Sequence, residues 1–148
     1  MTQVTRDAVA TDIPDIINVG MDLVKDVMGL RPDRDKLKKV LEVAMSSKAQ
    51  KLLVATENGK FIGAMLTVSH PFMYAEKAHA FIVGIWSIRT GAANAMLDIT
   101  MEWVKSRKAV QMCCYSMTVK TKLDEILLNY DFEPSGSMLV WRRYELFQ

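Results

Sequence analysis

Two apolar runs, residues 51–56 and 61–68, flank the dipeptide Asn58-Gly59 in the first half of the chain. Asn and Gly adopt the positive φ angles that a two-residue turn between antiparallel strands requires. The runs have the length and apolar content of short strands. The stretch LLVATENGKFIGAMLTV therefore predicts a β-hairpin, and every fold considered for this chain has to contain it.

The residues before the hairpin predict one strand and two helices. Gln3 to Ala8 alternates as a short edge strand, and capping and first-turn signals at Thr11 to Pro14 precede apolar residues at helical spacing. This helix is expected to end at Met28-Gly29, where the spacing stops. A second helix is expected from near Asp33, with an apolar stripe at Leu37, Val40, Leu41 and Ala44.

The residues after the hairpin alternate between strand and helix. Ala78 to Trp86 has too little polar alternation for an edge strand, so it is expected at the centre of the sheet. Helical spacing returns from Gly91 to about Arg107, and a strand at Val110 to Ser116 follows it. Leu123 to Leu128 predicts a helix and Ser137 to Tyr144 a last strand. The order is strand-helix-helix-strand-strand-strand-helix-strand-helix-strand, a mixed α/β (α+β) fold.

Length and charge narrow the class of protein. The chain has 148 residues, of which 50% are hydrophobic, and this fits one domain spanning residues 1–148. The 19 basic and 17 acidic residues nearly balance, so no overall field favours nucleic acid or an anionic membrane as a partner. The apolar runs are far shorter than the roughly 20 residues that a membrane helix needs. We expect a cytoplasmic protein.

Cysteines and tryptophans are interpreted as core residues. Cys113 and Cys114 are adjacent, which disfavours a disulfide between them and leaves no second pair for a metal site. We therefore expect reduced thiols and no metal. Trp86 falls on the central strand and Trp103 on an apolar helical stripe, so both are also expected in the core.

The segment SIRTGAANAML, residues 87–97, joins the central strand to the helix that follows it. Its small residues let a ligand approach the backbone, and the first amides of a helix are unpaired donors at the positive end of the dipole. This arrangement suits a phosphate group, to which Arg89 adds charge. The segment matches neither the P-loop nor the dinucleotide fingerprint, and a buried helix packed closely on a sheet could begin with the same small residues.

These segments together resemble the GNAT superfamily of acetyl-CoA-dependent N-acetyltransferases, in the expected order and over nearly the whole chain. TRDAVATDIPDIINV resembles that family's first strand and helix, and the hairpin resembles its second and third strands. FIVGIWSIRTGAANAML resembles the fourth strand and the coenzyme A turn, usually written Q/RxxGxG/A. ILLNYDFEPSGSMLVWRR resembles the closing helix and strands, usually LYxxxGF followed by a last strand.

The resemblance implies a GNAT-like mixed, mostly antiparallel central sheet flanked by helices, with acetyl-CoA or coenzyme A as co-substrate. It also implies that the pantetheine arm pairs with the backbone near Val83 and that the first amides of the third helix hold the pyrophosphate. The implied cofactor-binding residues are Val83, Arg89, Thr90, Gly91, Ala92, Ala93 and Asn94.

The chain departs from the family pattern at two places. In the turn, Ile88 occupies the Q/R position and Arg89 follows one residue later. In the closing motif, Leu127 stands where many members carry a tyrosine that protonates the departing thiolate, and Asp131 replaces the glycine before Phe132. The usual acid is therefore missing from its position.

Proton transfer needs other groups if the chain is an enzyme. Acetyl transfer to an amine requires a neutral amine, a donor for the carbonyl oxygen and an acid for the leaving thiolate. Tyr130 and Tyr115 are the candidates to replace the missing acid, although such tyrosines are more often packing residues. Glu76, His70 and His79 lie before or on the central strand, where a base would act, or are ordinary polar residues.

Two functions stay open at this level. The first is an N-acetyltransferase acting on a small-molecule amine or a protein amino group. Basic residues between Arg31 and Lys39 suit an acidic acceptor, and a solvated helix face explains them as well. The second is a catalytically eroded GNAT-like protein, a type that phages also encode, acting as a binding or structural module. The closing strand VWRRYELF suits a homodimer, with a monomer as the alternative.

Overall fold

A computed structural model of the protein describes residues 2–27, 29–71, 77–115 and 122–135. Within these segments a single sheet has the strand order β1-β2-β3-β4-β5. The strands are β1 (Gln3–Asp7), β2 (Gln50–Glu57), β3 (Lys60–Pro71), β4 (Ala78–Ser87) and β5 (Val110–Tyr115). The helices are α1 (Ile13–Asp22), α2 (Arg34–Ser46), α3 (Thr90–Ser106) and α4 (Lys122–Leu128), with a 3₁₀ turn (Ala10–Asp12) before α1 and a π-helical turn (Leu23–Val27) after it.

The sheet is mixed and mostly antiparallel. Neighbouring strands from β1 to β4 run antiparallel, and β5 runs parallel to β4. This confirms the predicted fold class, the edge position of β1 and the central position of β4. The last strand predicted at Ser137 to Tyr144, and with it the homodimer contact of VWRRYELF, lies outside the described residues. No helix in the described segments is long and apolar enough to span a membrane.

The predicted hairpin joins β2 to β3 through Asn58 and Gly59. Their φ angles are 51° and 79°, the left-handed values that the two-residue turn requires. The amino-terminal residues hold this turn, because the Asn58 amide donates to the Thr2 carbonyl oxygen at 2.9 Å and the Thr2 amide donates to Asn58 Oδ1 at 3.2 Å. The hairpin turn and β1 therefore form one hydrogen-bonded unit at this end of the sheet.

The core lies on both faces of the sheet, because side chains alternate along each strand. Helices α1 and α2 cover one face, called here the α1/α2 face, and α3 and α4 cover the other, the α3/α4 face. Residues buried on the α1/α2 face are Ile13, Ile16, Ile17, Leu41, Ala44, Leu52, Val54, Ala64 and Leu66. Residues buried on the α3/α4 face are Leu53, Ala55, Ile62, Met65, Ile82, Ala92, Met96, Leu97 and Leu127.

An ion pair between β1 and the 3₁₀ turn fixes the start of α1. The Arg6 guanidinium donates to both carboxylate oxygens of Asp12, at 2.7 and 2.9 Å, and the Val9 amide donates to Asp12 Oδ2 at 2.8 Å. The hydrogen bonds from Arg6 lower the pKa of Asp12. This pair therefore stabilises the fold at neutral pH, and its contribution is lost as the pH falls from about 3.9, the unfolded-state pKa, through the lower folded-state pKa.

Both tryptophans are half-buried, which corrects the prediction that they lie in the core. Trp86 stacks on Phe61 with ring centroids 5.6 Å apart, and the Arg107 guanidinium lies 5.3 Å from the ring centroid of Trp103. The reason is their position near the ends of β4 and α3, where the helix and sheet layers no longer cover a large indole. Cys113 and Cys114 are free and likewise half-buried, so their predicted place in the core is corrected as well. Burial raises the pKa of Cys113 to about 12.

Candidate functional site

In the described residues, the parallel pairing of β4 with β5 covers the first half of β4. The described pairs run from Ala78 opposite Val110 to Ile82 opposite Tyr115. Tyr115 is the last residue of β5, whereas β4 continues to Ser87. The carboxyl half of β4 therefore extends beyond the last described pair.

A β-bulge lies where this pairing ends. Leu66 is opposite Gly84 and Thr67 is opposite Ile82, so Val83 is an extra residue of β4. A bulge bends its strand and changes the direction of its side chains. Val83 is 54% exposed even though it belongs to an interior strand. The bulge thus brings the middle of β4 to the surface beside the end of β5.

Ser87 holds the turn from β4 into α3. Its hydroxyl donates to the Arg89 carbonyl oxygen, and its Oγ accepts the Arg89 amide at 3.0 Å. Arg89 is the N-cap residue and is extended, with φ −133° and ψ 127°. Because both backbone groups of Arg89 bond to one serine, the chain leaves the strand and enters the helix within a very short turn.

The helix start offers fewer amide donors than the sequence predicted. The amides of Ala92 and Ala93 donate to the Arg89 carbonyl oxygen at 3.1 and 3.4 Å, and the Arg89 amide is bonded to Ser87. In residues 77–115, the amides that have no acceptor at this corner are those of Thr90 and Gly91, as the first turn of a helix requires. A phosphate here would be held by these amides.

Gly91 keeps the corner open. A β-carbon at this position would meet Gln3 Oε1 at 3.7 Å and no other atom of the neighbouring side chains within 4 Å. Gly91 is exposed, whereas Ala92 and Ala93 are buried against the sheet at 1% and 7% exposure. The small residues of this segment thus have two roles, since the alanines pack α3 on the sheet and the glycine leaves space beside the free amides.

Arg89 is paired with a carboxylate of the hairpin. Arg89 Nε lies 3.5 Å from Glu57 Oε2, and Gln3 Nε2 donates to Glu57 Oε1 at 3.3 Å. The Glu57 side chain is 10% exposed and that of Arg89 is 50% exposed. The positive charge predicted at the turn is therefore partly neutralised by a buried negative one.

Glu57 and Gln3 were not predicted to belong to this site. Neither is near the turn in sequence, and both reach it because β1 and the hairpin end beside α3. One signal was available for Glu57. Residues 53, 55 and 57 of β2 point to the same face of the sheet, and Leu53 and Ala55 are buried on the α3/α4 face. A carboxylate buried at the third of these positions requires a hydrogen-bond or charge partner.

Tyr130 is bonded to α3. Its hydroxyl oxygen lies 2.7 Å from Asp98 Oδ1 and 2.9 Å from the Asn94 carbonyl oxygen. Partial burial and the hydrogen bond to Asp98 raise the pKa of Tyr130 to about 12. The phenol proton is thus held by a carboxylate on the surface of α3, and the contact ties the segment after α4 to that helix.

Tyr115 lies closer to the end of the β4–β5 pairing. It is opposite Ile82, next to the bulged residue, and burial followed by the charge of Asp124 raises its pKa. Asp124 Oδ1 is buried and has no hydrogen-bond partner among the described residues. Asp124 was not among the predicted site residues, although it precedes Leu127 by three positions and so shares its face of α4.

The turn after α4 has a left-handed residue at Asp131. This residue has φ 65°, in the region that favours glycine, and the Phe132 amide donates to the Leu127 carbonyl oxygen at 3.2 Å. Leu127 itself is buried. The turn after α4 is therefore formed without the glycine, while the usual tyrosine position is occupied by a core residue.

The two candidate bases that the structure describes, His70 and His79, are not brought together with the tyrosines. Glu76 lies outside the described residues. His70 and His79 are opposite each other on β3 and β4, with ring centroids 6.4 Å apart. Alternation places them on the α1/α2 face, opposite to Tyr115. Within the described segments no group of three His, Cys, Asp or Glu residues could hold a metal ion.

No protein-family model and no curated protein sequence matches the chain. Solved structures do share its architecture. A predicted acetyltransferase with acetyl-CoA from Clostridium acetobutylicum is 20% identical, with a TM-score of 0.74 over 97% of this chain and 98% of that one. A GNAT family acetyltransferase from Staphylococcus aureus subsp. aureus USA300_TCH1516 is 17% identical, with a TM-score of 0.65 over 97% and 100%. AAC(6')-Iy in complex with the bisubstrate analog CoA-S-monomethyl-acetylneamine is 15% identical, with a TM-score of 0.72 over 97% and 99%. The chain therefore has the fold of the GNAT-family acetyltransferases.

Proposed function

We propose that the protein is an N-acetyltransferase that moves an acetyl group from acetyl-CoA to an amine. The observation that carries this proposal is the corner at which β4 becomes α3, with unbonded amides at Thr90 and Gly91 and open space beside them. The fold is one in which a neighbour carries acetyl-CoA and another carries a bisubstrate analog of coenzyme A. Those neighbours support the choice of cofactor.

Coenzyme A fits the described geometry in two parts. Its pantetheine arm contains amide groups that can bond to the backbone of β4 at the Val83 bulge, beyond the last described pair with β5. Its pyrophosphate would accept from the Thr90 and Gly91 amides at the positive end of α3. Arg89 lies at the same corner and adds a cation when its guanidinium turns toward the phosphates.

In this proposal Tyr115 is the acid of the reaction. As the amine nitrogen bonds to the acetyl carbon, the carbon–sulfur bond breaks and the thiolate needs a proton. Tyr115 ends β5 opposite Ile82, the neighbour of the bulged residue, and in this proposal its phenol meets the thioester end of the pantetheine arm. Asp124, with its unpaired buried oxygen next to Tyr115, is the group we propose to accept the proton that the amine loses.

Phenylalanine substitutions separate the two tyrosines. We expect Tyr115→Phe to lower kcat by about 100-fold, since general acid catalysis contributes roughly that factor. Tyr130→Phe should keep kcat within about twofold and lower the free energy of unfolding by about 1 kcal/mol, because it removes the hydrogen bonds to α3. Steady-state thiol release and urea denaturation measure the two quantities. A large loss of kcat in Tyr130→Phe, with Tyr115→Phe active, would reverse the assignment.

A thermal-shift titration with coenzyme A and acetyl-CoA tests the proposed function. A ligand that binds only the folded state stabilises it by about 2.7 kcal/mol at 100 times its Kd, so the melting temperature should rise with ligand concentration. Thiol release is then measured against small-molecule amines and peptide amino termini. Absence of any shift at millimolar ligand would remove the basis for an acetyl-CoA enzyme.

A non-catalytic GNAT-like binding protein is the second candidate. One observation favours it, because a buried leucine occupies the position of the usual acid and the nearby Tyr130 is held by Asp98. Thiol release in the presence of an amine distinguishes the two functions. Such a protein would be stabilised by coenzyme A and would release no thiol with any amine of the panel.

A further inference from the structure

The charge of Arg89 does not act alone at the corner. Its Nε lies 3.5 Å from Glu57 Oε2, and its Nη1 donates to the Ile88 carbonyl oxygen at 3.5 Å. The ion pair therefore holds one side of the guanidinium, while half of the Arg89 side chain is exposed. Arg89 also lines an open cavity of about 370 Å³ together with Lys60 and Phe61, so its side chain has room to turn.

The buried carboxylate of Glu57 is linked to the open face of Gly91 through one side chain. Gln3 bridges the two positions, since its Nε2 donates to Glu57 Oε1 at 3.3 Å and its Oε1 lies 3.7 Å from the site of a β-carbon on Gly91. Because the Glu57 side chain is only 10% exposed, water screens its charge incompletely. At the effective dielectric constant of a partly buried site, about 20, a unit charge about 10 Å from a bound anion changes the affinity for that anion by about tenfold.

We propose that Glu57 determines the affinity of this site for coenzyme A, because its buried carboxylate neutralises Arg89 and repels the pyrophosphate held by Thr90 and Gly91. The inference rests on the proposed function, which supplies the ligand. In this inference the negative charge of Glu57 weakens cofactor binding. Glu57 belongs to the hairpin and acts on the turn between β4 and α3 through its contact with Arg89.

The Glu57→Gln variant isolates the charge from the geometry. A glutamine oxygen still accepts from Arg89 Nε, and the new amide nitrogen is matched when the Gln3 amide rotates to present its own oxygen. That rotation turns the Gln3 nitrogen toward Gly91, where it is a further donor for phosphate. Combining Glu57→Gln with Gln3→Met removes that donor, so the gain in the double variant measures the loss of the negative charge alone.

Isothermal titration of coenzyme A and of pantetheine into the whole protein tests the inference. We expect Glu57→Gln to bind coenzyme A about tenfold more tightly than wild type. Pantetheine lacks the phosphates, so its affinity should not change. Glu42→Gln is the matched control, since it removes the same charge from an exposed side chain on α2 and should bind both ligands like wild type.

A second variant keeps the test decisive if Glu57→Gln folds poorly. Gln3 is exposed on the edge strand, and Gln3→Lys supplies a new cation for Glu57 without removing the carboxylate. It should tighten coenzyme A in the same direction. Because a lysine there would also lie near Gly91, Gln3→Met is measured beside it: it removes the hydrogen bond to Glu57, adds no charge and should weaken the binding of coenzyme A. Unchanged or weaker binding in Glu57→Gln, unchanged binding in Gln3→Met, or an equal gain for pantetheine, would overturn the inference while wild type still binds coenzyme A. If no form of the protein binds coenzyme A, the proposed function fails instead.

Discussion

Replacing Gly91 by aspartate is expected to abolish the binding of coenzyme A while the fold stays intact. The new carboxylate would occupy the open space beside the Thr90 and Gly91 amides, where the proposed pyrophosphate lies. Contact between like charges in a partly buried site costs enough to weaken binding by at least about 100-fold. The same carboxylate in the first turn of α3 interacts favourably with the helix dipole, so the unfolding free energy should not fall.

The measurement combines a melting temperature without ligand and its increase with coenzyme A. Gly91→Ala is the matched control, because a β-carbon at this position meets Gln3 Oε1 at 3.7 Å, an ordinary contact. Alanine also favours the helix over glycine by up to about 1 kcal/mol. The alanine variant should therefore melt at or above the wild-type temperature and keep its response to coenzyme A. A full response in Gly91→Asp would place the pyrophosphate elsewhere.

Replacing Gly63 by alanine is expected to destabilise the protein by about 1–3 kcal/mol, the usual cost of overpacking a core. Gly63 lies in β3, where a β-carbon would be 2.8 Å from the Trp86 carbonyl oxygen and 3.1 Å from Met96 Cε. The first contact is with backbone, so β4 itself has to shift. For a domain of this size, the melting temperature should fall by about 3–10 °C.

Gly84→Ala is the matched control for this loss of stability. Gly84 is also in an antiparallel pair of the sheet, but a β-carbon there would meet nothing within 4 Å. Because alanine restricts the unfolded chain more than glycine does, this variant should be unchanged or up to about 1 kcal/mol more stable. Urea denaturation of both variants decides the matter. Equal stability of the two would show that β4 yields to the added methyl group at little cost.

Local sequence signals were sufficient for most of the described elements. The hairpin at Asn58-Gly59 and the second helix after Asp33 have strong turn and capping chemistry, and Asp33 does cap α2 by accepting the Lys36 amide. The first helix was predicted to end at Met28-Gly29. The α-helix ends earlier, at Asp22, and a π-helical turn continues from it to Val27. Periodicity of apolar residues does not distinguish these two helical forms.

The site was predictable only where it depends on neighbours in sequence. The small residues from Gly91 to Ala93 indicated a helix start that approaches the sheet closely, and Ala92 and Ala93 are buried as this requires. The bulge at Val83 is set by the register of two strands, so no pattern within β4 reveals it. The pairing of Glu57 with Arg89 depends likewise on tertiary contacts between distant segments.

The contact of Gln3 with Glu57 also links the amino-terminal strand to whatever occupies the corner. β1 is a five-residue strand at an edge of the sheet, and short edge strands open more readily than interior ones. When it leaves, Glu57 loses one of its two partners. A cofactor bound beside Gly91 should consequently slow the hydrogen exchange of the amides of residues 3–7. Exchange in the first strand would then indicate whether a site in the middle of the chain is occupied.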